Sequence, residues 1–182
     1  MITALSGTPG TGKSSVSILL QNEGYNVVSL NELAVDKKFI VGIDNERNSK
    51  IVDIDGLDDY IKNNLIIKDI IFIEGHSAHL LKTVDKVIIL RCHPSKLKKR
   101  LEEKGWNQVK IKENVEAETI DVILCEAVEI HSAENIFEID TTNKQVENVA
   151  SAVIGIVKNN FEPMKKYNIG KIDWSEEILK DY

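Results

Sequence analysis

Three glycines, a lysine and two serines stand close together near the start of the chain, in the stretch GTPGTGKSS at residues 7–15. The spacing Gly7-x-x-x-x-Gly12-Lys13-Ser14 matches the loop that binds the phosphates of nucleoside triphosphates. Glycine tolerates the backbone angles that turn successive N–H groups toward an anion, and a helix beginning near Gly12 adds the positive end of its dipole. The stretch therefore predicts a triphosphate site.

Each side chain of this loop has a predicted role. Lys13 is expected to bridge the β- and γ-phosphates, and the Ser14 hydroxyl is expected to ligate Mg²⁺. A chance glycine-rich turn is the alternative interpretation. The complete motif, with an apolar strand at residues 2–5 before it and a helix after it, favours the phosphate site.

An acidic residue and a histidine follow a second apolar run, IIFIEGH. Glu74 ends this predicted strand, where proteins of this kind place a carboxylate near Mg²⁺ and its waters. A carboxylate that merely caps the next turn is the alternative. His76 is predicted either to orient an attacking water or to hold an acceptor phosphate, against a structural imidazole at the sheet edge. His79, His93 and His131 are interpreted as structural.

Strands alternate with helices along the chain, which predicts an α/β fold of the P-loop NTPase type. We expect a doubly wound parallel sheet of five strands flanked by helices. Residues 40–56 are polar and poorly periodic, which indicates a mobile excursion, and the stretch from Asp55 to Asp58 is expected to cap the helix that follows. Apolar positions from Ile120 to Val128 predict one long helix after a polar link at residues 106–114.

Two stretches are predicted to close over the phosphates: the polar excursion between the second predicted strand and the strand of Glu74, which suits a flap, and RLEEKGWNQVK, which suits a lid. Arg100, Lys104 and Lys110 surround a break between two helices, which suits a lid that brings cations to transferring phosphates. Solvated helix ends are the alternative for these cations.

Composition indicates a single globular domain. The chain has 182 residues, 42% of them hydrophobic and 29% charged, and a formal net charge of −6, which argues against wholesale nucleic-acid coating. We divide it into a kinase-like domain at residues 1–161 and a tail at residues 162–182. No apolar run is long enough to span a bilayer, and Cys92 and Cys125, both expected to be buried, suit a reducing cytoplasm.

Several stretches together resemble the adenylate kinase isoenzyme 6 family, and its archaeal members in particular. They are GTPGTGKSS, ERNSKIVDID, IEGH, KGWNQVKIKENVEAE and, in the tail, IDWSEEIL. The resemblance implies phosphoryl transfer from ATP with Mg²⁺ to AMP or other nucleoside monophosphates, together with ATP hydrolysis. It also implies a role in late maturation of the small ribosomal subunit, with a ribosomal protein of that subunit and the pre-ribosomal particle as partners.

Carried over position by position, the resemblance implies a set of site residues. The ATP-phosphate contacts are Gly10, Thr11, Gly12, Lys13, Ser14 and Ser15. The resemblance also implies a flap segment at residues 30–53 and a lid segment at residues 103–113, which contains Lys104, while Arg100 remains a predicted catalytic cation beside the lid. Two positions depart from the family pattern: Lys104 stands where an arginine is common, and Val35 stands where related kinases hold the acceptor phosphate with arginine. Arg47 is the nearest substitute for that arginine, and a structural ion pair with its neighbours Glu46, Asp53 or Asp55 is the alternative.

Three functions therefore remain open at this point. The first is a nucleoside monophosphate kinase, which the flap and lid segments favour. The second is an ATP-driven assembly switch, which Val35 favours because it leaves the acceptor site without its expected cation. A kinase of another small metabolite is the third.

Overall fold

A computed structural model of the chain describes residues 1–44 and 49–178. Its strands are β1 (Ile2–Ser6), β2 (Asn26–Ser29), β3 (Ile40–Asp44), β4 (Ser49–Val52), β5 (Ile71–Glu74), β6 (Lys86–Arg91) and β7 (Ile136–Asp140). Five of them form one sheet in the order β2-β5-β1-β6-β7, with every neighbouring pair parallel. The predicted five-stranded parallel sheet is confirmed.

Helices cover both faces of this sheet. They are α1 (Lys13–Asn22), α2 (Leu30–Asp36), α3 (Ile54–Asn64), α4 (Pro94–Glu103), α5 (Gln108–Thr119), α6 (Val122–Ile130), α7 (Val146–Lys158) and α8 (Ser175–Ile178). Leu5 of β1 packs in a core with residues of α1 and α7, whereas its neighbour Ala4 packs with residues of α2, α3 and α6 on the other face. Two covered faces explain why these strands are continuous apolar runs.

The flap segment is more regular than its polar sequence indicates. Strands β3 and β4 pair as an antiparallel hairpin, so the described part of residues 40–52 is regular secondary structure, and the mobility expected of it stays a prediction. The hairpin leads directly into α3, whose cap is Asp53 rather than Asp55. The Asp53 carboxylate accepts a hydrogen bond of 3.0 Å from the Gly56 N–H, which satisfies a backbone donor that the helix leaves unpaired.

The lid segment also departs from its prediction. Helix α4 begins at Pro94 and is followed by Gly105 with φ 72°, as its sequence indicates. The stretch after it is helical rather than a polar link, because Asn107 caps α5 by accepting the Lys110 N–H at 2.8 Å. The predicted single long helix is wrong, since α5 ends at Thr119 and α6 begins anew after Asp121, which has φ 58°.

The described part of the tail lies on the body. The Tyr167 ring is buried in the core, and the Tyr167 carbonyl accepts the Glu138 N–H at 2.9 Å, so the tail extends the sheet beside β7. Further along, the Gly170 N–H donates to the Glu138 carboxylate at 2.8 Å, and the Trp174 ring stacks edge-on against His93 with centroids 4.9 Å apart. Residues of the tail therefore reach the lid side of the molecule.

Two smaller expectations concern the cysteines and membranes. Cys92 is buried as expected, whereas Cys125 is exposed on α6, so its prediction is wrong. Within the described ranges, no helix has the length and apolar character needed to cross a bilayer.

Candidate functional site

The glycine-rich loop lies between β1 and α1, at the carboxyl end of the central strand of the sheet. Parallel sheets of this kind bind ligands at that edge. Gly7 has φ 142°, and a Cβ there would stand 2.4 Å from the Leu90 carbonyl oxygen, so only glycine lets the loop pass so close to β6. Gly12 has φ 104° where α1 begins. The sequence and the fold agree on this turn.

Lys13 is buried beneath the loop and is held by carbonyl groups. Its Nζ donates to the Gly7 oxygen at 2.6 Å and to the Thr8 oxygen at 3.2 Å. Burial lowers the pKa of this ammonium from 10.5 to about 8, although the carboxylates of Glu74 and Glu118 oppose the change. A buried cation satisfied only by carbonyls is ready to exchange them for the oxygens of a phosphate.

The lowered pKa of Lys13 predicts that ATP binding weakens at alkaline pH. Above pH about 8 the empty protein loses the proton, whereas bound phosphates keep it, so binding must take a proton up and the Kd for ATP rises about tenfold per pH unit. Isothermal titration from pH 6.5 to 9.5 checks this.

Unfolding of the protein at alkaline pH is a separate cause of weaker ATP binding, and the Lys13 titration does not favour it. Between pH 8 and 10 the unfolded chain holds the Lys13 proton more often than the folded protein does, so Lys13 contributes a rise in stability with pH. Thermal unfolding at each pH is the control, and a Kd that is constant to pH 9.5 contradicts the prediction.

Ser14 and Glu74 come together at the mouth of the loop. Glu74 ends β5, which pairs with β1 in a register that sets Leu5 beside Glu74. The Ser14 hydroxyl donates to the Glu74 carboxylate at 3.4 Å, and burial raises the pKa of Glu74. A hydroxyl and a carboxylate suit Mg²⁺ in such loops, because that ion keeps waters and phosphate oxygens as its other ligands.

His76 lies on the same cleft with an exposed side chain. The surrounding protein and the Lys13 charge lower the pKa of its imidazole, which is therefore neutral near pH 7. Its backbone is fixed from below, because the Ser6 hydroxyl donates to the His76 carbonyl at 3.0 Å. The same hydroxyl lies 2.9 Å from Nδ1 of the buried His79, whose Nε2 lies 2.8 Å from the Glu126 carboxylate.

The other two histidines also have structural partners. His131 Nε2 lies 2.8 Å from the His79 carbonyl oxygen, which joins the end of α6 to the turn after β5. His93 caps α4, because its Nδ1 accepts the Ser95 N–H at 3.3 Å, and its Nε2 lies 3.4 Å from the Glu177 carboxylate.

Two cavities adjoin at the loop. The larger, of about 850 Å³, opens between the loop, the start of α2, the end of β5 and the helix α5. The smaller, of about 310 Å³, lies between the loop, the end of α4, the turn after β7 and the start of α7. Both include the same four residues in their walls: Gly10, Gly12, Ser15 and Lys104. The phosphate loop thus separates two spaces rather than closing one.

The remaining predicted cations occupy different places. Arg100 lies at the smaller cavity, where its guanidinium donates to the carbonyl oxygens of Thr141 at 2.8 Å and Thr142 at 3.2 Å. Lys104 and Lys110 line the larger cavity, and Lys110 lies over the Trp106 ring, 5.5 Å from its centroid.

The acceptor arginine that the sequence lacks at Val35 is not replaced within the described residues. Val35 is exposed on α2 and is absent from the wall of the larger cavity. Arg47 lies outside the described residues.

A buried cluster of charges beside the loop escaped the sequence analysis. Arg91 ends β6 and donates to Glu118 of α5 at 2.8 Å, to Glu138 of β7 at 2.5 Å and to Asp121. Burial disfavours the charged guanidinium, yet the three carboxylates outweigh it and raise the pKa of Arg91. A signal was present, because Arg91 and Glu138 interrupt the apolar runs VIILR and IFEID.

A phosphate loop at the central strand, with a carboxylate on the neighbouring strand, defines a nucleotide-binding protein of the P-loop class. Comparison with known proteins agrees: a family model described as "AAA domain" matches residues 4–121. The chain belongs to this family, and it also belongs with a group of archaeal proteins named "Putative adenylate kinase".

Three of these relatives give the extent of the similarity. The one from Archaeoglobus fulgidus is 44% identical, over 98% of this chain and 94% of its own length. The one from Pyrococcus abyssi is 40% identical, over 97% and 92%. The one from Methanocaldococcus jannaschii is 36% identical, over 100% and 97%. The similarity therefore includes the loop, the flap segment, the lid segment and the tail.

A solved structure supports the fold alone. The protein TT1252 from Thermus thermophilus superposes with a TM-score of 0.53, covering 87% of this chain and 97% of that protein, at 14% sequence identity.

Proposed function

We propose that this protein is a nucleoside monophosphate kinase that transfers the γ-phosphoryl group of ATP to AMP or another nucleoside monophosphate, with Mg²⁺. The relatives named as adenylate kinases support the proposal. So does the larger cavity, whose wall contains the loop, Asn31 at the start of the flap segment, and Lys104, Trp106 and Lys110 of the lid segment.

The observation that carries the proposal is the pair of cavities that share the phosphate loop. A protein that only hydrolyses ATP needs room for one nucleotide and a water molecule. Here the smaller cavity suits the donor, because α7 begins there and its apolar Val146 and Val149 offer a surface for a base. The larger cavity lies beyond the loop, on the side where the γ-phosphate would end. Two nucleotides can therefore meet in line across Lys13.

The chemistry needs positioning more than it needs a base. An oxygen of the acceptor phosphate attacks the γ-phosphorus, and the bond from that phosphorus to the oxygen bridging the β-phosphate breaks, so that both products are nucleoside diphosphates. Lys13 would follow the charge onto the leaving β-phosphate, and Lys104 and Lys110 would approach from the lid. Arg100 would orient the donor through the loop carrying Thr141. Mg²⁺ held near Ser14 and Glu74 would supply charge neutralisation.

A second function is favoured because the larger cavity has no arginine among its described wall residues to hold an acceptor phosphate. The cations there are Lys13, Lys104 and Lys110, and Val35 is exposed outside the wall. A neutral His76 beside Glu74 would suit the holding of a water molecule. The second candidate is thus a slow cytoplasmic ATPase whose nucleotide state governs late maturation of the small ribosomal subunit and its 16S rRNA, through a ribosomal protein and the pre-ribosomal particle.

The deciding experiment follows the label from γ-³²P ATP with Mg²⁺, with and without AMP, and with CMP, GMP and UMP in turn. A kinase places the label in a nucleoside diphosphate, whereas an ATPase releases it as inorganic phosphate. We expect labelled diphosphate at a rate that exceeds phosphate release. The Lys13→Met protein, purified in parallel, reports contaminating kinases. Label that appears only in inorganic phosphate, whatever acceptor is present, would reject the kinase and support the second candidate.

A further inference from the structure

Glu118 is a buried carboxylate where four parts of the molecule meet. It stands near the end of α5 and its residue is 2% exposed. One carboxylate oxygen accepts the Thr8 hydroxyl of the phosphate loop at 2.5 Å. The other accepts the Arg91 Nε–H at 2.8 Å, the Cys92 backbone N–H at 3.1 Å and the Trp174 indole N–H at 3.4 Å. The Glu118 side chain of α5 thus accepts hydrogen bonds from the loop, from β6 and from the tail.

Thr8 connects this carboxylate to the phosphate site itself. Its carbonyl oxygen accepts from Lys13 Nζ at 3.2 Å and from the Thr11 hydroxyl at 2.9 Å, while its own hydroxyl is held by Glu118. When Lys13 turns to phosphate oxygens it leaves the Thr8 carbonyl, and Glu118 remains as the side-chain anchor of this part of the loop. Because the bond from Thr8 to Glu118 persists before and after Lys13 changes partners, the loop needs little reordering when an anion binds.

We propose that Glu118 is a positioning residue for the triphosphate: through Thr8 it fixes the shape of the phosphate loop and ties helix α5 to it. This inference rests on the proposed function only in taking ATP as the ligand. Residues that precede Glu118 on α5, including Asn114 and Ala117, line the larger cavity. The same bond that shapes the donor site therefore sets the position of a wall of the acceptor site.

A purely structural role would give Glu118 no task beyond neutralising Arg91. Glu138 provides the comparison, because it is equally buried, accepts from the same guanidinium at 2.5 Å and from the Gly170 N–H at 2.8 Å. Its hydrogen bonds reach the tail and not the loop. The two glutamates differ in their connection to Thr8, so they separate positioning from stability.

The test measures the Kd for ATP by isothermal titration and the melting temperature of each variant. Thr8→Val removes the donor at nearly constant volume, and we expect ATP to bind about tenfold more weakly, equivalent to about 1.4 kcal/mol. Thr8→Ser keeps the hydroxyl and should bind within about twofold of the unchanged protein. Glu118→Gln, which weakens a charge-assisted bond to a neutral one, should fall between them.

A double substitution and a matched control complete the design. In the Thr8→Val background, Glu118→Gln should cause no further loss of ATP affinity, because both changes act through one bond. Glu138→Gln should lower the melting temperature about as much as Glu118→Gln does, yet leave the Kd for ATP within about twofold. Unchanged binding by Thr8→Val, additive losses in the double variant, or equal losses of affinity in Glu138→Gln and Glu118→Gln would each overturn the inference.

The outcome is separable from that of the proposed function, because this titration contains no acceptor. ATP binding that depends on Thr8 and Glu118, in a protein that phosphorylates no monophosphate, rejects the kinase and keeps the inference. Transfer to AMP together with unchanged binding by Thr8→Val does the reverse.

Discussion

Replacing Lys13 by methionine abolishes ATP binding and leaves a protein at least as stable as the original; this is the largest functional effect we expect. The lowering of the Lys13 pKa from 10.5 to about 8 by burial corresponds to roughly 3 kcal/mol of unfavourable placement for the ammonium. Methionine has a similar length and no charge, so that penalty disappears. The charge that would meet the β- and γ-phosphates disappears with it, and we expect transfer and hydrolysis to fall by about a thousandfold or more.

The measurements are the Kd for ATP, the rate of label release from ATP and the free energy of unfolding in urea. Lys158→Met is the matched control, since Lys158 lies exposed at the end of α7 and is absent from the walls of both cavities. It should change none of the three quantities appreciably. If the free energy of unfolding of Lys13→Met is clearly lower than that of the unchanged protein, the lysine stabilises the fold and the expectation is wrong.

Replacing Arg91 by methionine gives the largest expected loss of stability. The change leaves the carboxylates of Glu118 and Glu138 buried without their cation, and breaking a buried pair in this way costs about 3–5 kcal/mol. In a chain of this size the melting temperature should fall on the order of 10 °C. Lys86→Met, on the same strand with the Asn135 side chain as its partner at 2.6 Å, should cost far less.

The Arg91→Met loss also depends on pH, in a direction that can be worked out. Burial already raises the pKa of Glu138, and removal of Arg91 raises it further. A carboxyl group whose pKa is higher in the folded protein than in the unfolded chain loses stability as the pH rises through the folded value. The deficit should therefore be smaller at pH 5 than at pH 8. Urea titrations at both pH values check this, and a deficit that is equal or larger at pH 5 contradicts it.

The local parts of the site could be predicted because their residues adjoin in the chain. Gly7 to Ser15 specify their turn by themselves, and Glu74 falls beside Ser14 because two buried parallel strands end at one edge. The charge cluster is different in kind. Arg91 lies 27 positions from Glu118 and 47 from Glu138. The pairing of β6 with β7 brings Arg91 and Glu138 together, and the packing of α5 adds Glu118.

The misplaced helix boundary has the same origin. An apolar period that runs through Ile120 predicts a continuous helix, and nothing local marks the break. The chain turns at Asp121, which has φ 58°, and the Asp121 carboxylate is held there by Arg91 of strand β6. The hairpin β3–β4 was missed for a simpler reason: β3 has the sequence IVGID, which shows no apolar–polar alternation, although its residues alternate between half-buried and exposed in the fold.

The two tryptophans of the chain lie near the two ends of helix α5. Trp106 lines the larger cavity where the lid segment begins, and Trp174 lies against His93 with its N–H on Glu118. Their indoles are therefore built-in optical probes, one reading the lid and the other reading the tail. In Trp106→Phe the fluorescence comes from Trp174 beside the tail, and in Trp174→Phe it comes from Trp106 at the lid segment. Motions at the two ends of α5 can therefore be timed separately after mixing with nucleotide.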